Sequence, residues 1–128
     1  MNQTITPYLF YRDAPAAIEF LTAAFGFVEQ FRYPMDDGRI GHAELVYNGG
    51  VVMLASVFES FGTTPLDLPN VHSQVQCVVT DVDAHFERAR RGGATIVSEP
   101  TEQHGSRRYR AIDPEGHRWI FGQPSSSE

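Results

Sequence analysis

The side chains best suited to metal binding or proton transfer lie in and around the segment "GHAELVY". His42 and Glu44 stand two residues apart in an alternating pattern, so on one strand they would point to the same side. His72 stands two residues before Gln74 in a later segment. Imidazole and carboxylate groups are ligands for divalent metals. His42, Glu44 and His72 therefore form one hypothesis, a metal site, and Tyr8 with Glu44 forms a second, proton transfer.

Two arginines, Arg108 and Arg110, flank Tyr109 ahead of the turn "DPEG". One interpretation is a solvated hairpin face. The other is an arginine at the mouth of a site, paired with an acidic ligand. A nucleophile is harder to find, because Cys77 lies in the apolar run "VQCVVTDV", typical of a buried strand, and no serine occupies a "GxSxG" turn. We expect no catalytic residue of this kind.

The composition narrows the class of protein that could carry these residues. The 128 residues have a formal net charge of -6 and are 41% hydrophobic, enough for one domain with a core. An acidic chain is not expected to bind nucleic acid, which calls for clustered Lys and Arg. No apolar run approaches the roughly 20 residues of a membrane span, and "MNQTITPYLF" lacks the charged start of a signal peptide. We expect a cytoplasmic protein with no membrane partner.

The chain repeats itself at a spacing of 68 residues, which places "RDAPAAIEFLTAAFGF" over "TDVDAHFERARRGGAT" and Asp13 over Asp81. In each copy an alternating segment leads to Asp, a good N-cap, and then to apolar residues three and four apart before a terminating Gly. This pattern predicts two amphipathic helices. Their buried stripes would be Ala14, Ala17, Ile18, Leu21 and Phe25 in the first helix, and Val82, Phe86 and Ala89 in the second.

Three candidate strands follow each helix. They are roughly Val28 to Pro34, Arg39 to Tyr47 and Val51 to Val57 in the first copy, and Thr95 to Ser98, Arg108 to Ile112 and Arg118 to Gln123 in the second. Strand, helix and three strands, twice over, predict a single α+β domain of two βαβββ modules, about residues 1–58 and 71–124. The connector 59–70 either packs on the domain or forms a flap or dimer contact, and the tail 125–128 is expected to be loose.

Four segments carry a resemblance to a known family: "PYLFYRDAPAAIEFLTAAFGF", "GHAELVYNGGVVMLA", "VTDVDAHFERARRGGA" and "RYRAIDPEGHRWIF". In their order and spacing the chain resembles the vicinal oxygen chelate superfamily, which includes glyoxalase I, extradiol dioxygenases, fosfomycin-resistance enzymes and bleomycin-binding resistance proteins. The resemblance implies that the mixed sheets curl into an open barrel with a concave ligand cup. It also implies that the protein dimerises, as family members often do, some by pairing modules across chains.

The resemblance further implies where a metal would be held, because the family's metalloenzymes take ligands from the opening and final strands of each module. The corresponding positions here are Thr6, Met53, Gln74 and Ile120. A catalytic divalent ion usually needs about three His, Glu, Asp or Cys ligands. This set offers one amide oxygen, so we expect no metal at these positions and no other cofactor. The remaining histidines, which are expected to be solvated, are His85, His104 and His117.

The strand pattern also predicts which residues line the cup and which pack against the helices. The predicted ligand-binding set is Thr6, Tyr8, Phe10, Glu44, Met53, Gln74, Gln76, Arg110 and Ile120. The predicted helix-facing set is Leu9, Leu54, Val75, Trp119 and Phe121.

An apolar, aromatic lining with a few neutral hydrogen-bonding groups suits an aromatic or amphipathic organic molecule. We therefore expect a metal-independent binding protein that resembles the bleomycin-resistance type and forms a homodimer. The alternative is a glyoxalase-like or dioxygenase-like metalloenzyme with the displaced ligands His42, Glu44 and His72. A weaker alternative is a module that binds a protein through its connector.

Overall fold

The computed structural model of the chain describes residues 3–59, 62–103 and 105–124. The expected loose tail 125–128, Phe61 of the connector and His104 lie outside these residues. The first module consists of β1 (Tyr8–Tyr11), α1 (Ala14–Phe25), β2 (Val28–Pro34), β3 (Ile40–Tyr47) and β4 (Gly50–Ser56). The second consists of β5 (Val75–Val78), α2 (Val82–Arg91), β6 (Thr95–Gln103), β7 (Ser106–Ile112) and β8 (Arg118–Pro124).

Both helices begin at the predicted aspartates. The Asp13 carboxylate accepts a hydrogen bond from the backbone N–H of Ala16, and the Asp81 carboxylate accepts one from Ala84, each at 3.1 Å. The α1 helix ends at Gly26, whose φ of 85° is the left-handed conformation that glycine tolerates best. The repeated N-cap signal in the sequence therefore marks two real helix starts.

Each module folds into a four-stranded mixed sheet, ordered β1-β4-β3-β2 in the first and β5-β8-β7-β6 in the second. The opening and final strands of each module run parallel, and the other neighbours are antiparallel. The two sheets share no strand pair and do not close into a barrel. The expected α+β fold of two βαβββ modules with an unclosed sheet architecture is confirmed.

The helix-bearing faces of the two modules meet in one hydrophobic core. Trp119 and Phe121 of β8 are fully buried, and both rings contact Phe25 of α1, with centroid distances of 5.4 and 4.7 Å. The predicted stripes of both helices are buried in this core, and the predicted helix-facing strand residues pack into or against it. Each sheet therefore turns one face to the shared core and leaves its other face, here called its outer face, without a helix above it.

The turn between β7 and β8 joins the modules through two carboxylates. Asp113, 3% exposed, accepts hydrogen bonds from Tyr11 Oη at 2.6 Å and from Trp119 Nε1 at 3.1 Å. Glu115 accepts the backbone N–H groups of Arg12 and Asp13, at 2.6 and 2.8 Å. The acidic residues of "DPEG" are therefore occupied in fixing the second module to the start of α1.

In the part of the chain that the structure describes, neither helix is both long and apolar enough to cross a membrane.

Candidate ligand-binding site

The first outer face, on the sheet of the first module, carries a row of aligned side chains. Strand register places Tyr8 beside Met53, Met53 beside Glu44, and Glu44 beside Phe31. Tyr8 and Phe31 are 43% and 48% exposed although both rings are large. Phe10 lies next to Tyr8 on the same face, with ring centroids 5.7 Å apart. The exposed rings of Tyr8 and Phe31 make this surface suited to binding the flat face of an organic molecule.

A chain of hydrogen bonds crosses this face. The Tyr8 hydroxyl lies 2.8 Å from His42 Nδ1, and His42 Nε2 lies 3.0 Å from Glu44 Oε2. The second carboxylate oxygen, Glu44 Oε1, accepts a hydrogen bond from Gln30 Nε2 at 3.0 Å. The sequence pattern placed His42 and Glu44 on one face correctly. It did not reveal Gln30, because the irregular register between Glu29 and Phe31 of β2 breaks the simple alternation.

The electrostatics of this hydrogen-bond chain favour the charged form of Glu44. Its hydrogen bond from His42, followed by that from Gln30, lowers the pKa of the carboxyl group. Desolvation, and then the negative charge of Glu44, raise the pKa of Tyr8 above its usual 10.0. An anionic Glu44 can only accept, so in the neutral imidazole of His42 the proton lies on Nε2 and Nδ1 accepts from the Tyr8 hydroxyl. Tyr8 and Glu44 therefore present acceptor atoms to a ligand, because the protons of Tyr8 and His42 are already used within the hydrogen-bond chain.

Two cavities open beside the first outer face. One, of about 290 Å³, is lined by Gln3, Thr6, Gln30, Glu44, Val51 and Met53. The other, of about 340 Å³, lies between β1 and the connector and includes Tyr8, Phe10, His72 and His117.

The described part of the connector packs on its own domain. A Cβ added at Gly62, whose φ is +87°, would lie 2.7 Å from the Phe10 ring, and Arg12 forms an ion pair with Asp67. Residues 62–70 therefore contact their own domain and also form one side of the larger cavity, and a flap or dimer contact stays a prediction.

The second outer face, on the sheet of the second module, has a different character. Strand register places Gln76 beside Ile120, Ile120 beside Arg110, and Arg110 beside Ser98. Ile120 is only 5% exposed, although no helix covers this face. The three predicted residues of the second module that lie in strands, Gln76, Arg110 and Ile120, are thus brought together.

The structure corrects the predicted set in two respects. Thr6 and Gln74 precede β1 and β5 rather than belonging to them, because each opening strand starts later than alternation suggested. The nine predicted residues also do not form one site within a chain. Tyr8, Phe10, Glu44 and Met53 belong to the first sheet and Gln76, Arg110 and Ile120 to the second, and these sheets meet through their opposite faces.

The four family metal positions do not fit a divalent ion. Met53 offers a thioether and Ile120 no donor atom, and the register places them on different sheets. His42 and Glu44 are adjacent, but His72 instead lines the cavity beside the connector. Among residues 3–59, 62–103 and 105–124, no group of three or more His, Cys, Asp or Glu side chains is arranged as a metal-ion site.

Two histidines expected to be solvated form hydrogen bonds within the chain. His85, 7% exposed, lies 2.6 Å from the Tyr109 hydroxyl and 2.8 Å from the Phe25 carbonyl oxygen. His117 Nε2 lies 2.8 Å from the Phe10 carbonyl oxygen. The expectation of solvation was wrong for His85, whereas His117 is half-buried and lines the larger cavity. His85 could have been found, because it stands three residues after Val82, within the buried stripe of α2.

Cys77 packs against the core, as its sequence context indicated. Burial raises the pKa of its thiol to about 12, so it is not a thiolate near neutral pH. Cys77 is therefore unsuited to act as a nucleophile.

Comparison with known proteins agrees with this architecture. A family model described as the Glyoxalase/Bleomycin resistance protein/Dioxygenase superfamily matches residues 2–121. An uncharacterized protein of Mycobacterium bovis is 40% identical over 129 residues, covering 97% of this chain and 85% of the relative.

Two solved structures extend the comparison. TioX from Micromonospora sp. ML1 has 33% sequence identity and a TM-score of 0.77, with 98% of this chain and 99% of TioX covered. TnmS3, an antibiotic binding protein from Streptomyces sp. CB03234, shares the fold at 21% identity and a TM-score of 0.68, again covering 98% and 99%. With the two-module fold and the family match over nearly its whole length, the chain belongs to the Glyoxalase/Bleomycin resistance protein/Dioxygenase superfamily.

Proposed function

We propose that this chain is a metal-independent protein that binds an aromatic or amphipathic small molecule. The observation that carries the proposal is the first outer face, where the exposed rings of Tyr8 and Phe31 flank a row of polar and thioether side chains. Exposing large rings to water is unfavourable unless a partner covers them. A ligand that stacks on these rings and hydrogen-bonds to Tyr8 or Glu44 would satisfy both the apolar and the polar parts of the face.

We further propose that the protein works as a homodimer in which the first outer face of one protomer covers the second outer face of its partner. Within one chain these faces lie on separate sheets, and each is left without a helix. A two-fold dimer would pair them twice and create two equivalent cups. The predicted ligand-binding residues that a single chain separates would then meet across the interface.

The relationship to TnmS3 supports small-molecule binding as the type of activity, since that relative is described as an antibiotic binding protein. Its identity to this chain is low, so the support concerns the scaffold and not a particular compound. An antibiotic or a related aromatic metabolite is the ligand class that we propose.

Metal independence is supported by the side chains at the family positions, where Met53 and Ile120 replace usual ligands. The alternative, a metalloenzyme with displaced ligands, draws on the contact between His42 and Glu44, which could both turn toward an ion. Metal analysis by mass spectrometry, on untagged protein purified without chelators, separates the two. We expect sub-stoichiometric metal; stoichiometric metal that is lost in His42→Ala would support the metalloenzyme instead.

The binding function is tested by a thermal-shift screen of neutral aromatic drugs and metabolites, followed by calorimetry on the best compounds. We expect Phe31→Ala to weaken binding by up to about tenfold, because an aromatic stacking contact contributes roughly 0.5–1.5 kcal/mol. Leu66→Ala is the matched control, since Leu66 is an exposed apolar side chain, 54% accessible, that lies in the connector and not on the sheet of the first module. A screen without hits, or equal effects of both substitutions, would contradict the proposal.

A further inference from the structure

Three arginines share the second outer face. Arg108 and Arg110 stand two residues apart on β7, and Arg118 lies on β8, one position diagonally from Arg110 in the strand register. All three side chains are half-buried. Among the residues that the structure describes, none of these guanidinium groups forms an ion pair or a hydrogen bond, and the Nε atoms of Arg108 and Arg118 are buried without a partner.

Among the described residues outside this face, most arginines have partners. The chain has 16 acidic residues and 10 basic ones. Five arginines form ion pairs with carboxylates, and these are Arg12, Arg32, Arg39, Arg90 and Arg107. Arg107 directly precedes Arg108 but points to the opposite side of β7. There it donates two hydrogen bonds to Asp83, whereas Arg108 has no such partner in the described part of the chain.

The strand-register partners of the three arginines are uncharged. Arg108 lies opposite Thr101 and Gly122, Arg110 lies opposite Ser98 and Ile120, and Arg118 lies opposite Ile112. A Cβ at Gly122 would approach the Cβ of Arg108 to 3.1 Å, so glycine gives the arginine room to lie against the sheet. Buried guanidinium donors without acceptors reduce stability, which indicates that these arginines serve a purpose other than stabilising the fold.

We propose that this arginine cluster, Arg108, Arg110 and Arg118, binds the carboxylate of an aromatic ligand. The inference rests on the proposed function and specifies the chemistry of its ligand. A planar guanidinium fork matches a carboxylate in two parallel hydrogen bonds, and a half-buried site strengthens them. The opposing wall would be the first outer face, where Glu44 and Tyr8 offer acceptors and repel an anion. The cup therefore orients its ligand, with the carboxylate on the arginines and the ring and any donor groups toward Tyr8 and Glu44.

The test uses naphthoate and its neutral amide as probes on the full-length protein. Titrations are followed by ¹H–¹⁵N spectra of the arginine Nε–H groups, which report directly on the cluster. We expect naphthoate to bind at least about tenfold more tightly than the amide, since hydrogen bonds to a charged group are worth roughly 1.5–3 kcal/mol. Arg110→Gln and Arg118→Gln should each remove this preference. Arg107→Gln, on the same strand but the opposite face, should keep it.

A second measurement guards against variants that merely unfold. Because the arginines lack partners in the free protein, Arg118→Gln should leave the ligand-free melting temperature unchanged or higher, while it weakens naphthoate binding. A marked fall in the ligand-free melting temperature would assign Arg118 a structural role and overturn its part in the site.

Three outcomes of the titration would overturn the proposal. They are equal binding of naphthoate and the amide, no binding of naphthoate, and tighter binding of naphthyl phosphate, which would replace the carboxylate by a phosphate. The proposed function would survive each of them if neutral aromatic compounds still bound in a manner that depends on Phe31.

Discussion

At the scale of single residues, the hydrogen-bond chain on the first outer face decides which atoms a ligand can use. Glu44 accepts from His42 and Gln30, and His42 accepts from Tyr8. The free lone pairs on Tyr8 and Glu44 are therefore acceptors, and the second N–H of Gln30 is the donor that this hydrogen-bond chain leaves unused. A ligand that contacts Tyr8 or Glu44 should offer N–H or O–H groups.

This arrangement predicts one tautomer of His42, with the proton on Nε2 and none on Nδ1. Long-range ¹H–¹⁵N NMR at neutral pH distinguishes the two ring nitrogens and should show that state. Tyr8→Phe removes the donor to Nδ1, so the Nδ1 signal should shift while Nε2 stays protonated. Tyr47→Phe serves as the control, because Tyr47 lies on the opposite face of β3 from His42 and its ring contacts His85. A spectrum with protonated Nδ1 and bare Nε2 would contradict the arrangement.

At the scale of elements, helix α2 carries a polar residue where its buried stripe meets α1. His85 occupies the stripe beside Val82, Phe86 and Ala89, and its ring lies 4.3 Å from that of Phe121. Desolvation lowers the pKa of His85 below its usual 6.5, and the nearby Arg88 acts in the same direction, while the Phe25 carbonyl opposes them. The helix therefore packs around a neutral imidazole that bridges Tyr109 and Phe25.

A pH dependence of stability follows from this burial. The unfolded chain binds a proton at His85 more readily than the folded chain, so the free energy of unfolding should fall as pH drops below about 6.5, down through the lower folded pKa. Urea denaturation across this range should show a smaller fall for His85→Gln, whose amide can keep both hydrogen bonds. His72→Gln, at an exposed histidine, should retain the wild-type dependence. An identical pH dependence of the free energy of unfolding for wild type and His85→Gln would contradict the assignment of this effect to His85.

The elements were largely predictable from the sequence, because each depends on local signals. Asp caps, apolar spacing and turn glycines located both helices, and alternation located the strands after them. Strand starts were less accurate, since β1 and β5 are edge strands whose first residues depend on what packs beside them. The site was predicted only in part: same-face pairs such as His42 and Glu44 follow from alternation, whereas the arginine cluster depends on the register between β7 and β8.

At the scale of the whole molecule, the packing of the modules separates the two halves of the predicted cup. Aromatic side chains that face the helices, with Trp119 and Phe121 foremost, make the inner faces the more favourable surfaces to bury together. The hydrogen bonds of Asp113 and Glu115 to the first module then hold the two modules in that arrangement. The outer faces remain for contacts outside the chain, one aromatic with acceptors and the other lined by unpaired arginines.

A cup built across two chains can be tested by mixing variants that fail separately. Phe31→Ala damages only the first outer face, and Arg110→Gln damages only the second. In a mixed dimer of the two variants, one cup contains both substitutions and the other contains neither. After co-refolding, about a quarter of all cups should therefore regain wild-type affinity for naphthoate in calorimetry. Cups formed within one chain would always contain one of the two substitutions, so mixing would restore no wild-type affinity for naphthoate.

The control for this experiment pairs two lesions on the same face. Phe31→Ala mixed with Met53→Ala leaves a damaged first outer face in every cup, because both residues lie on the sheet of the first module. No recovery is expected from that mixture, whichever protomer contributes the arginines. Recovery there as well would mean that mixing itself alters binding. Recovery only in the mixture of opposite faces would place Phe31 of one protomer and Arg110 of its partner around a single ligand.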